Sequence, residues 1–222
     1  PATYEPSPRQ ISALAGTSLY IRTGVPFEKV WMERIRSANP EMRVLDARDG
    51  IDLRAHPGEP DHDSHVWTSP PLVRMMAASI RDALIELDPE NRQDYARNHD
   101  AFAAELDKLD RDIRVMLEGL TNRTFMVFHP AWGYFADAYG LTEIAIEHEG
   151  KEPGARTLAA LIERARRENI KVVFAQPQFD QKLAAEVARA IGGRVVLIDP
   201  LSPDYADSLR RAAREMAGAL RP

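Results

Sequence analysis

"TFMVFHPAWGYFADAYGLTEIAIE", residues 124–147, decides how this chain is built. Its first five residues form an apolar run of strand length, AWGYFADAYG continues with helical spacing to a stop at Gly140, and EIAIE (143–147) is a second short apolar run. The alternation continues downstream. LAALIERARREN reads as a helix, KVVFA as a strand, KLAAEVARAIGG as a helix ending on a glycine pair, RVVLI as a strand, and 204–219 as a last helix. Short apolar strands alternating with amphipathic helices predict a parallel sheet with helices on its faces, here four βα units.

Upstream of this lobe lies the most regular segment of the chain. Asp88 is placed as an N-cap and Pro89 at the first helical position, and Tyr95, His99, Phe102, Leu106, Leu109, Ile113, Met116 and Leu120 follow at alternating spacings of four and three. That pattern predicts a helix over 89–119, about 46 Å long at ~1.5 Å per residue, enough to span two lobes. The same stripe is also open to reading as a coiled-coil seam between two copies of the chain. Before it come a helix from Pro8 to Ala15, strand LYIR, helix PFEKVWMERIRSAN, strand RVLDA, a polar loop over 48–68 and a helix over 69–87. This smaller α/β unit opens on a helix with no strand ahead of it. The expected organisation is therefore an α/β fold of two lobes with parallel sheets flanked by helices. An N-terminal lobe over 1–88 and a C-terminal lobe over 120–222 are joined by one long rigid helix over 89–119.

Composition narrows the function. With 29 Lys and Arg against 34 Asp and Glu, net charge −5, and arginines spread along the helices, the chain lacks the basic footprint that nucleic acid requires. Apolar runs such as VVFA and VVLI fall far short of the roughly 20 residues needed to cross a bilayer. Cysteine is absent, so a bound metal must be held by nitrogen and oxygen donors. The start, PATYEPSPRQ, carries neither the basic segment nor the apolar segment of a signal peptide, and an opening on Pro suggests a processed or truncated start.

Ligands of open parallel sheets bind beyond the carboxyl ends of the strands. His129 directly follows TFMVF and Asp199 directly follows RVVLI, while His65 precedes the helix start at Ser69–Pro70 in the first lobe. Two imidazoles and a carboxylate are a workable zinc shell, each donor at about 2.0–2.2 Å. Taken one at a time they read more readily as a hydrogen-bonded loop histidine and an ordinary Asp-Pro turn, and His56 and His62 as solvated loop residues.

Longer stretches favour the metal. DSHVWTSP (63–70) resembles the Asp-Pro-His-x-Trp-Leu-Ser-Pro signature of the zinc- and manganese-binding solute-binding proteins of metal ABC importers (cluster A-I). FHPAWGYFADAYGL, EGKEP, VVFAQPQF and VVLIDPL follow in that family's order, and PATYEPSP, GVPFEKVW and DALIELDPENRQDY fit it as well, so the resemblance covers essentially the whole chain.

The resemblance implies two α/β lobes joined by a long helix, with a metal held between them. Its four ligand positions fall on Ala2, His65, His129 and Asp199. Alanine cannot ligate, which leaves three ligands. His62, His56 and Glu5 are candidates to fill the gap, and Gln176 stands where the family often has a glutamate near the metal. Histidine at 129 suits zinc better than manganese, and AHPGEPDHDSH (55–65) resembles a shortened form of the His- and Asp-rich loop of zinc receptors.

The function implied is a monomeric receptor, in the periplasm or at the outer face of the cytoplasmic membrane, that delivers zinc to an ABC permease without catalysis. A long connecting helix would limit lobe movement, so release would come from loosening of the ligand loops. Two alternatives remain. One is a mononuclear zinc hydrolase using Glu147, Glu149 or Glu152 as base, although no His-Glu-x-x-His helix is present. The other is a metal-binding surface adhesin.

Overall fold

The computed structural model describes residues 4–55, 62–148 and 150–221. The described chain packs as two compact units: Arg54–Pro71 with Leu106–Pro222, and the stretches up to Leu53 with Leu72–Glu105. This division differs from the expected one in a way that matters for function. The segment carrying His65, expected in the first lobe, packs with the C-terminal unit. Two helices, not one, cross the division, between Pro71 and Leu72 and between Glu105 and Leu106.

The N-terminal unit holds α1 (Pro8–Ala13), β1 (Leu19–Arg22), α2 (Pro26–Ala38), β2 (Arg43–Asp46), most of α3 (Pro70–Leu87) and the first part of α4 (Arg92–Met116). Strands β1 and β2 pair in parallel with Leu19 opposite Arg43. Ser7 and Gln10 cap α1 reciprocally. Buried Glu28 takes the amides of Gly24 (2.6 Å) and Val25 (3.1 Å), which α2 leaves without helical partners. Its other oxygen accepts from the Tyr20 hydroxyl (3.3 Å) and the Thr23 amide (3.4 Å), so the same carboxylate ties the end of β1 to the start of α2.

The helix predicted over 89–119 is shorter. Pro89–Asn91 form a 3-10 turn, and α4 proper runs over Arg92–Met116, about 37 Å at ~1.5 Å per residue. Asp88 accounts for the late start. Its Oδ2 accepts from the Asn91 side chain and from the Tyr95 hydroxyl, both at 2.8 Å, and the side chain makes no N-cap hydrogen bond. The expected stripe is buried where α4 enters the C-terminal unit, at Leu106, Leu109 and Ile113. Leu109 and Ile113 belong to that unit's own core and so are not free for a coiled-coil seam.

In the C-terminal unit the predicted alternation is present throughout: β3 (Thr124–Val127), α5 (Gly133–Tyr139), β4 (Thr142–Ala145), α6 (Ala155–Arg167), β5 (Val172–Ala175), α7 (Lys182–Ala190), β6 (Arg194–Leu197) and α8 (Tyr205–Leu220). All four strands are parallel, in the order β4-β3-β5-β6. Phe125, Val127, Phe174 and Val196 face one way, into a core closed by α5, α8 and the end of α4. Met126, Val173 and Ala175 face the other, against α6 and α7. Burial on both faces is why these strands read as unbroken apolar runs. Gly193 follows from the tight α7–β6 connection, because a Cβ there would lie 2.1 Å from the Lys171 carbonyl oxygen.

Candidate metal centre

Strand order fixes where chemistry is placed. From β3 the chain goes to β4 on one side and then crosses to β5 on the other, so the connections part between β3 and β5, the position at which open parallel sheets bind ligands. Just beyond the carboxyl ends of β3, β4, β5 and β6 stand His129, Glu147, Gln176 and Asp199.

His65 reaches the same unit through a segment pinned on α5. The Tyr134 hydroxyl donates to the Asp63 carbonyl (2.9 Å) and accepts from the Arg54 amide (2.9 Å), and the Arg54 guanidinium pairs with Asp137 at 2.5 Å. The Asp63 carboxylate, almost wholly buried, accepts from the His65 amide (2.9 Å) and stands 2.7 Å from His65 Nδ1. A carboxylate has no proton to give here, so Nδ1 carries the hydrogen and Nε2 presents its lone pair. Trp67 and Thr68 complete a 3-10 turn whose Thr68 hydroxyl donates to the His65 carbonyl (2.9 Å).

His129 repeats this arrangement from different parts. Its Nδ1 lies 3.3 Å from Oε1 of the buried Glu147, beyond the end of β4. Gln176 Nε2 donates to the His129 carbonyl (2.9 Å), and Phe179 stacks on the ring with centroids 4.7 Å apart. Gln176 is buried and its Oε1 finds no partner among the described residues. The two imidazoles are neighbours, with ring centroids 5.4 Å apart. Two rings on one tetrahedral zinc, each Nε2 at about 2.0–2.1 Å, have centroids roughly 5 Å apart, so the observed spacing fits a shared ion.

Asp199 sits on the adjoining turn. Oδ1 of its carboxylate accepts from Gln178 Nε2 (2.8 Å) and from the Leu201 amide (2.9 Å), while its carbonyl takes the Ser208 hydroxyl at the start of α8 (2.7 Å). Trp67 Nε1 donates to the neighbouring Pro200 carbonyl (2.9 Å), tying the His65 turn to the Asp199 turn. The loops therefore meet, but among the described residues no three His, Asp or Glu side chains already stand close enough to hold a metal ion. His62 is exposed and bridges Ala55, and Glu5 is exposed in the N-terminal unit. Ala2, His56 and Glu149 lie outside the described residues.

Behind the pair is a cavity of about 540 Å³ lined by both bracing carboxylates together with Arg54, Glu143, His148 and Lys151. Burial, reinforced by the nearby Asp63 charge, pushes the Glu143 carboxyl up to about 7 against the opposing pull of the Trp132 amide and Arg54.

Residues 1–219 match the profile of ZnuA, described as zinc-uptake complex component A, periplasmic. The chain belongs to the ZnuA family. The high-affinity zinc uptake system protein ZnuA of Bacillus subtilis is 28% identical over 219 residues, covering 90% of this chain and 68% of that protein. Its namesake in Brucella abortus is 32% identical over 150 residues, 66% of this chain but 45% of the longer relative. A solved structure of a ZnuA deletion mutant with zinc bound has a TM-score of 0.94 at 41% identity, covering 100% of this chain and 85% of that one. These relatives are named for zinc uptake and not for catalysis.

Within the ZnuA frame, motif reasoning reaches His65, His129 and Asp199 but not the groups that hold them. Asp63 stands two residues before His65, in the Asx pattern that ties a side chain to the backbone two residues on, so its local bond was available as a signal. Nothing in the spacing of Glu147, Trp67, Gln178 and Phe179 announces contacts made across the sheet end.

Proposed function

We propose that this chain is the extracytoplasmic receptor that captures a zinc ion and delivers it to the permease of an ABC importer, as a monomer, in the periplasm or at the outer face of the cytoplasmic membrane. His65 and His129 donate through Nε2 and Asp199 through a carboxylate oxygen. The carboxylate balances part of the ion's charge, and two nitrogen donors favour zinc over manganese. With Ala2 at the remaining family position, the fourth place falls to water or to a further donor of the same unit such as His62. The observation that carries this reading is the adjacent imidazole pair, each ring held at Nδ1 by a buried carboxylate with Nε2 left to donate. Carboxylate bracing of this kind orients a ligating histidine and raises its basicity.

Capture needs Asp199 to join a pair that is already assembled, so the Asp199 turn is the moving part. Release then follows from loosening that turn. The hydrolase reading has less support, since one of its three candidate bases, Glu147, is engaged on His129. Calorimetric titration at pH 7.5 should give one zinc per chain, and weaker binding at pH 5.5, because protons compete for imidazole nitrogen. No binding at pH 7.5, or equal affinity at both, would overturn the assignment.

A further inference from the structure

Each of the three ligand side chains is tethered through one atom and open at the other. For the imidazoles the tethered atom is Nδ1. For Asp199 it is Oδ1, which takes both the Gln178 side-chain amide and the Leu201 backbone amide, while Oδ2 accepts no hydrogen bond from a described residue. Gln178 is exposed and packs into no core, and its bond to Asp199 is its one side-chain hydrogen bond among the described residues. The turn that carries it, QPQFD (176–180), also holds His129 through Gln176 and Phe179. One short loop thus reaches two ligands.

We propose that Gln178 is a specificity-determining residue that acts by restricting the denticity of Asp199. With Oδ1 occupied by two N–H donors, the carboxylate offers a single oxygen. A one-oxygen carboxylate beside two imidazoles suits a four-coordinate zinc shell. Larger oxygen-loving ions such as manganese(II) take higher coordination numbers, to which a bidentate carboxylate contributes a further oxygen. Restriction at Oδ1 thus disfavours the competitor more than it favours zinc, which is discrimination against a wrong partner. This inference rests on the zinc-receptor reading above.

The test is competitive titration of Gln178→Met, which keeps the length and removes the donor, and of Gln178→Ala. The ratio of manganese to zinc dissociation constants should fall by about three- to tenfold, the span of one ordinary hydrogen bond. Cobalt(II) substituted for zinc should lose visible absorption in the variant as its coordination number rises. Parallel weakening of both metals would assign Gln178 a structural role only and overturn the proposal, as would an unchanged or larger ratio. A wild-type chain that takes up no zinc overturns the receptor reading itself, whereas a zinc-binding wild type with an unaltered ratio in Gln178→Met sinks only this inference.

Discussion

The two imidazoles at the sheet end share a geometry but come from regions built in different ways. His65 is braced by Asp63, two residues away, in a segment whose bonds to itself and to α5 fix its course. His129 is braced by Glu147 from the next strand end, 18 residues on, and positioned further by Gln176 and Phe179 from a third strand end. A local brace survives as long as its own turn does. A brace assembled across the sheet depends on three strands keeping register. The His65 contact is also shorter, 2.7 Å against 3.3 Å, and a shorter charge-assisted contact holds its ring more tightly.

The widest break in this comparison is removal of either ring. His65→Ala and His129→Ala should each weaken zinc binding by more than about 100-fold, exceeding the ~10–100-fold typical of losing a group that merely supports a ligand. Equilibrium competition against a chelator would measure both. A variant that retained wild-type affinity would remove that histidine from the shell.

Next come the braces. Asp63→Asn and Glu147→Gln should each cost about 10–100-fold in zinc affinity, because the replacement amide no longer fixes the proton on Nδ1 by charge. The local brace should be the costlier to lose, Asp63→Asn exceeding Glu147→Gln. The reverse order would mean that positioning across the sheet matters more than the length of the contact.

The same contrast explains what was legible in the sequence. The strands of the C-terminal unit announce themselves because burial on both faces demands unbroken apolar runs such as Val172–Ala175. The residues at their ends follow from that assignment, which is how His129 and Asp199 come into view. Packing decides the rest. Polar residues 54–71 carry no apolar period to show which unit they join, and it is the Tyr134 hydroxyl, far along the chain, that settles it. The start of α4 shifted to Arg92 because the Asp88 side chain bonded to side chains instead of capping the backbone.

A third carboxylate in the same cavity, half-buried, supplies the control. Glu143 sits near Asp63 and accepts from the Trp132 amide at 2.9 Å, yet it makes no hydrogen bond to either imidazole. Its carboxyl titrates at about 7 in the fold against an ordinary 4.5. The folded state therefore holds this proton more tightly than the unfolded chain. The stability it contributes is complete below pH 4.5 and is lost as pH rises to 7, by at most about 3 kcal/mol. Glu143→Gln should be more stable than wild type at pH 7.5, with the gain shrinking towards pH 4.5, in denaturant melts at stepped pH. Its zinc affinity should stay within about threefold of wild type, since this carboxylate braces no ligand. A brace-sized loss would erase the distinction between Glu143 and the other two.

The last test probes an indole link between the His65 turn and the Asp199 turn. Trp67 stands against the His65 ring, centroids 5.2 Å apart, and donates its indole N–H to the Pro200 carbonyl. Trp67→Phe keeps an aromatic ring beside His65 and removes only the donor, leaving the carbonyl to water at a net cost of about 1 kcal/mol. Since the proposed capture step has Asp199 move to meet the imidazoles, the loss should appear as faster zinc dissociation in stopped-flow chelator exchange, about three- to tenfold, with the association rate little changed. A slower association with unaltered dissociation would instead place the work of Trp67 in steering the ion towards His65, and the tie to Pro200 would then be incidental to how the cation is held.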